Sequence, residues 1–212
     1  MRKPTNWDRY SSSPKSFIAK YFFLNLVVKS YERLLKNIKF DKPIKILEFG
    51  CGTSYINLFL SRRFKVKKII GIDSNKKMLN ISKQTLSKLS CDKKFINENF
   101  FKIKLAEQYD IVHSQGVIEH FERVERLELL KKHFDATKKG GFCIIYAPIP
   151  TGYYIFFRKL AEILNTWKYT DEVPLDKTTI IEEMEAIGFT TLNIDYFWKF
   201  FLTEVGILFK KT

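Results

Sequence analysis

Four short runs of almost unbroken apolar residues limit what this chain can become: KILEF at 45–49, KKIIGI at 67–72, YDIVH at 109–113 and FCIIYA at 142–147. A strand with one wet face alternates polar and apolar residues, whereas a strand covered on both faces reads as a continuous apolar run. Helical patterns fill the intervals, at 53–64, from Ser74 as N-cap to about residue 89, and at 124–137. A shorter strand is expected at 94–97, and Gly140-Gly141 reads as a turn into the strand at 142–147. Strands that alternate with helices pair in parallel through crossovers, so the expected fold is α/β with a doubly wound sheet. A helix over 17–38 precedes this unit. After Pro148 come an aromatic-rich helix at 153–167, a helix at 178–187 ended by Gly188, and two consecutive strands at 190–198 and about 200–209. The last two suggest a closing hairpin with one strand antiparallel to the rest. One domain is expected over 1–212, divided into an N-terminal arm and helix (1–40), a cofactor-binding core (41–148), an insert on the substrate side (149–175), and a closing helix and hairpin (176–212).

The first strand leads into ILEFGCGTS at 46–54. Two glycines there let backbone approach a ligand closely and adopt dihedrals that side chains resist. A dinucleotide site would want a third glycine, in G-x-G-x-x-G, beneath the pyrophosphate. Tyr55 holds that position, and Glu48 stands two residues before Gly50. A carboxylate beside the loop repels phosphate and suits a ligand carrying a sulfonium and an ammonium. Asp73 ends the second strand 21 residues after Gly52, one helix and one strand further on. A carboxylate at that place can accept hydrogen bonds from both hydroxyls of a ribose.

At these residues the chain resembles the class I S-adenosylmethionine-dependent methyltransferases, in particular the small type 11/12 domains, from about Trp7 onward. ILEFGCGTS looks like their first motif and GIDSN like their second. FINENFF is similar to the segment after their third strand, YDIVHSQGVIEHF to their fourth-strand motif, and KKGGFCIIYAP to their fifth strand and the turn before it. The resemblance implies a seven-stranded, mostly parallel sheet, S-adenosylmethionine as cofactor, and cofactor contacts from Glu48, Gly50, Gly52, Asp73, Ser74, Asn99, Phe100, Ser114 and Gln115. Asn99 stands where the family usually has an aspartate near the adenine amino group, and an amide can still accept that bond. Some relatives carry Glu-x-x-Glu-His here and bind a divalent cation. This chain reads Gln115-Gly-Val-Ile-Glu119-His120, an amide being a weaker ligand for a hard cation, so no metal is expected.

The implied reaction moves the sulfonium methyl to an oxygen, nitrogen or carbon of an acceptor, with a base where the nucleophile is poor. His113, at the carboxyl end of the fourth strand, and the Glu119-His120 pair are the candidate bases. Tyr10 in the arm, and Tyr153, Tyr154, Arg158 and Trp167 in the insert, are the candidate acceptor contacts. The acceptor is expected to be a small molecule. The alternatives are an RNA or protein methyltransferase, a non-catalytic module that binds an adenosyl ligand, and a nicotinamide oxidoreductase, which Tyr55 disfavours.

The formal net charge of +14 admits a polyanion or an anionic membrane as partner, but the lysines are spread in short pairs with no long basic run. Nucleic acid is therefore not favoured, and peripheral membrane contact stays open. Cys51, Cys91 and Cys143 have neither disulfide nor zinc spacing. With no signal-peptide pattern and no stretch long enough to span a bilayer, a cytoplasmic protein is expected.

Overall fold

The computed structural model describes Thr5, Trp7 and residues 17–105, 108–198 and 203–212, with side chains assigned from residue 25 in the first helix and to residue 196 in the sixth strand. The elements are α1 (Phe17–Leu34), β1 (Ile44–Phe49), α2 (Tyr55–Arg63), β2 (Val66–Ile72), α3 (Lys76–Thr85), β3 (Asp92–Ile96), β4 (Tyr109–Gln115), α4 (Arg123–Ala136), β5 (Thr137–Pro148), α5 (Gly152–Ile163), α6 (Lys177–Ile187), β6 (Phe189–Trp198) and β7 (Thr203–Lys211). Single turns of tighter helix stand at Phe100–Lys102 and Ile118–His120.

All seven strands form one sheet in the order β3-β2-β1-β4-β5-β7-β6. The first five are parallel, and β7 runs antiparallel between β5 and β6. Side chains alternate across each strand. Ile46 and Ile111 therefore face one side, where they pack with Tyr31 and Leu34 of α1, Leu35 just after it, and Ile56 and Leu60 of α2. Leu47, Phe49 and Val112 face the other, against Leu129 and Leu130 of α4 and Met184 of α6. Two bidentate ion pairs add to this packing, one between a helix and the sheet and one between two helices of the same layer. Arg33 of α1 meets Asp195 of β6 at 2.7 and 2.8 Å. Arg126 of α4 meets Glu183 of α6 at 2.8 Å through both nitrogens, with both side chains buried.

Several expected boundaries move. The helix after the glycine loop starts at Tyr55 because Ser54 is left-handed, at φ 53°. Asn75, not Ser74, caps α3, its Oδ1 accepting from the Met78 amide at 3.1 Å. The Gly140-Gly141 pair is an irregularity inside β5 and not a turn before it. Gly140 takes φ 74°, and a Cβ on Gly141 would lie 2.9 Å from the Lys138 carbonyl, so the strand doubles closely on itself as a bulge does. The aromatic helix stops at Ile163, and Asn165, at φ 53°, turns the chain before Trp167.

Candidate functional site

The carboxyl ends of β1, β2 and β4 converge where the strand order reverses around β1, the crevice in which open α/β sheets bind ligands. The loop after β1 holds three left-handed residues, Gly50 at φ 66°, Gly52 at φ 49° and Ser54. A Cβ on Gly50 would come within 2.5 Å of Val117 Cγ2, so that position has no room for a side chain. Beside Gly52 the nearest atom to such a Cβ is Met78 Cε, at 3.7 Å, an ordinary van der Waals contact without a clash. Asp73 braces the loop: Oδ2 accepts from the Gly52 amide and Oδ1 from the Asn75 amide, both at 2.8 Å. Each oxygen keeps a lone pair for a further donor. Burial raises the Asp73 pKa, and the two amides oppose the rise. Ser82 of α3 holds the Gly52 carbonyl at 2.6 Å, and Asn97 spans the carbonyls of Asp73 and Ser74 at 3.0 and 2.8 Å. Ser74 itself is exposed. Nearby, Asn99 Oδ1 accepts from the Phe101 amide at 2.9 Å, and Phe100 stacks edgewise on Phe49 at 6.0 Å.

Glu48 is buried behind the loop. Asn57 of α2 donates to its Oε2 at 2.6 Å, and His113 Nδ1 lies 3.8 Å from its Oε1. Burial, and then the charge of Asp73, push the Glu48 pKa well up. His113 shares a face with Ile111, and its ring is wholly buried. Nε2 faces Asn57 Oδ1 at 3.1 Å and Nδ1 faces the Tyr31 hydroxyl at 3.4 Å. Burial lowers its pKa to about 3, with a further push from His133, so the ring is neutral and enclosed. Ser114 faces the other way, and its hydroxyl lies 3.0 Å from Nε2 of the buried His133. The His133 Nδ1 lies 2.8 Å from the Leu129 carbonyl, which fixes Nδ1 as the protonated nitrogen. The Gln115 amide donates to Glu204 of β7 at 3.2 Å. Sequence reasoning singled out Glu48, His113 and Ser114 but not the partners they meet in the fold, Tyr31, Asn57 and His133.

The turn Ile118–His120 carries the second half of the site. His120 Nδ1 lies 2.7 Å from Asp171 Oδ1, and Trp7 meets the imidazole edge at 5.0 Å between centroids. Asp171 also accepts from the Thr5 amide at 2.9 Å and from the Thr5 hydroxyl. Glu119 is buried, its Oε2 has no hydrogen-bond partner, and burial together with Glu172, Glu204 and Asp171 raises its pKa well above the usual carboxylate range. Single donor atoms of Glu119, His120 and Glu172 lie within 4.8 Å of one another, a grouping that could hold a cation. Glu172 Oε1 already accepts from the Tyr154 hydroxyl. Neither Asp171 nor Glu172 was singled out from the sequence, where nothing marks residues that meet His120 and Tyr154 only after the chain folds.

The insert residues divide. Tyr154 is fully buried, and Arg158 donates to the Glu172 carbonyl at 2.9 Å and to Glu162 at 2.8 Å while lying 5.4 Å over the Trp167 ring. Tyr153 points outward and is 71% exposed. Tyr10 lies outside the described residues. The Val173 amide donates to the Glu119 carbonyl at 2.9 Å, which ties the loop after α5 to the turn below it.

Comparison with known proteins places this geometry. A family described as "Methyltransferase domain" matches residues 46–141. A malonyl-[acyl-carrier protein] O-methyltransferase of Priestia megaterium is 27% identical over 102 residues, 48% of this chain and 36% of the relative, so the chain spans little more than a third of that protein's length. Ribosomal RNA small subunit methyltransferase G of Malacoplasma penetrans is 26% identical over 190 residues, 86% of this chain and 72% of the relative. Among solved structures, magnesium protoporphyrin IX methyltransferase of Synechocystis with bound S-adenosylhomocysteine superposes with a TM-score of 0.72 at 16% identity, over 97% of this chain and 93% of that one. That likeness shares the fold, the seven-stranded sheet with helices on both faces.

Proposed function

We propose, starting from the methyltransferase-domain match over residues 46–141, that the chain is a class I enzyme that transfers the methyl group of S-adenosylmethionine to a small-molecule acceptor. The observation that carries this reading is the braced carboxylate of Asp73 beside the left-handed Gly52, with Glu48 buried behind the same turn. Two acids at this loop disfavour a diphosphate and favour hydroxyl and ammonium donors. With no side chain at Gly52, a ligand can lie against the loop backbone. The residues therefore fit an adenosyl sulfonium.

Bound there, S-adenosylmethionine supplies an electrophilic methyl and leaves as a neutral thioether. Asp73 offers its remaining lone pairs to the ribose hydroxyls. Asn99 and Phe100 flank the adenine end, Asn99 through whichever of its amide positions remains after capping Phe101. Glu48 acts through Asn57 and the loop. Ser74, Ser114 and Gln115 support the same pocket through backbone and packing, since the Ser114 hydroxyl and the Gln115 amide already have partners.

For the proton of the acceptor, His120 is the better base. Asp171 orients its Nδ1, which leaves Nε2 to receive a proton, the arrangement that makes an imidazole a directed base. His113 is reassigned as a positioning group, because both nitrogens face protein atoms and the ring is wholly buried. Glu119 stands beside the base, its carboxyl pushed up by burial and then by the neighbouring acids. Tyr154, Arg158 and Trp167 shape the wall of the acceptor pocket.

Calorimetry of the full chain with S-adenosylhomocysteine and with a nicotinamide dinucleotide tests the assignment. Binding of the first and not the second is expected, and the reverse result would end this reading.

A further inference from the structure

Helix α5 is inside-out on one side. Its inner face carries the buried Tyr154 and the anchored Arg158. Its outer face carries Tyr153, Phe156, Leu160, Ile163 and Leu164, exposed by 71, 63, 43, 69 and 62%. Their spacing of three, four, three and one places all five on one stripe of the helix. A continuous run of large apolar side chains turned to water marks a surface that something covers. We propose that this stripe docks on an anionic lipid bilayer, and that the methyl acceptor is an amphiphile whose head group enters the site from that bilayer. The second part rests on the methyl-transfer reading above; the first does not.

Charge selects the occupant. The chain carries a formal net charge of +14. Lys159 and Lys168 are exposed on and just beyond α5, and the carboxylate of Glu162 is tied to Arg158. An apolar stripe flanked by lysines on a cationic protein matches a helix lying in the head-group layer, where the rings and aliphatic chains enter and the ammonium groups meet lipid phosphates. A second copy of the chain would bring the same +14 to the contact and be repelled. RNA would satisfy the lysines but leave the stripe in water, since nucleic acid is bound chiefly through its phosphates. Among the described residues no helix is long and apolar enough to cross a membrane, so docking would be peripheral. The position serves the chemistry. The loop that leaves α5 is fastened to the Glu119 carbonyl through Val173, and Tyr154 on the inner face donates to Glu172, which neighbours His120, so the docked helix is joined to the turn that carries the base.

The test is co-sedimentation of the full chain with phosphatidylcholine vesicles, with and without phosphatidylglycerol. Wild-type protein should sediment with the anionic vesicles. Phe156→Glu with Ile163→Glu should lower that partitioning by about tenfold or more, since two anchors are removed and two like charges added. S-adenosylhomocysteine affinity and the circular dichroism spectrum should stay unchanged, as both residues face outward. Lys159→Glu with Lys168→Glu should weaken sedimentation on anionic vesicles in a salt-dependent manner. Wild-type protein left in the supernatant, or equal partitioning by the Phe156/Ile163 variant, would overturn the docking. So would a wild-type dimer, measured by light scattering, that this variant dissolves into monomers. Vesicle binding by a chain that ignores S-adenosylhomocysteine would instead overturn the methyl-transfer reading and leave the docking standing.

Discussion

Asp73 holds the glycine loop through two backbone amides and still faces the crevice, so its loss should be felt in ligand binding before it is felt in folding. Asp73→Ala should weaken S-adenosylhomocysteine binding by at least about tenfold, measured by calorimetry, since hydrogen bonds to a charged acceptor are each worth about 1.5–3 kcal/mol. The two glycines should separate. At Gly50 an added methyl meets Val117, a branched side chain with little freedom to move, as well as the left-handed backbone. Gly50→Ala should therefore lower the melting temperature more than Gly52→Ala, for which the backbone conformation alone costs about 1–2 kcal/mol. Gly52→Ala should lose proportionately more ligand affinity, because its methyl would stand between a ligand and the loop backbone. Equal melting temperatures for the two variants would refute the steric account of Gly50.

At the scale of elements, the Arg126–Glu183 pair joins α4 to α6 beyond apolar contact, with the exposed Arg123 3.7 Å from the same carboxylate. Removing one member strands the other in a buried position, at a cost of about 3–5 kcal/mol. Arg126→Ala should show that loss in urea unfolding, and Arg126→Met with Glu183→Leu should recover most of it. How far the elements could be read in advance depends on what defines them. The four central strands were legible because cover on both faces forces unbroken apolar runs such as those through Ile46 and Ile144. The bend in β5 was not, because Gly140-Gly141 has the same local chemistry in a turn and in a bulge, and only the neighbouring strand decides. The parity that sets His113 on the α1 face and Ser114 on the α4 face could be counted from Ile111. Its consequence could not, because β1 and β4 are adjacent only in the sheet, where Glu48 falls in register with His113. The cofactor loop was legible because its residues are contiguous. The pairing of His120 with Asp171, 51 residues away, leaves no local trace.

The molecule as a whole stores two neutral histidines in its interior. The pKa of His113 is lowered to about 3 and that of His133 to about 4, burial being the main cause in each. An unfolded chain protonates histidine near 6.5, so unfolding takes up protons below that value. The stability these rings allow is therefore complete above pH 6.5 and drains away as pH falls toward 4, by about 2 kcal/mol per histidine at pH 5. Glu48 and Glu119, whose pKa values are raised, act in the opposite sense, since acid relieves the cost of burying them. The histidine contribution is isolated by comparing wild type with His133→Gln in urea at pH 7 and pH 5. The gap between them should narrow by about 2 kcal/mol on acidification, and a gap independent of pH would contradict a neutral buried His133.

The place of β7 has a bearing on how the protein is made. This strand is seventh in sequence yet lies between β5 and β6, and its central residues are almost wholly shielded. While a ribosome is still adding residues 149–202, β5 has a bare edge, and nothing formed so far can seal it. Closure must await the arrival of β7, including Gly206, whose lack of a side chain admits the ring of Tyr146 from the neighbouring strand. The nascent chain thus passes through a long interval with an open, sticky border, and a helper that shelters hydrophobic edges during synthesis should raise its yield more than one that acts on the finished protein.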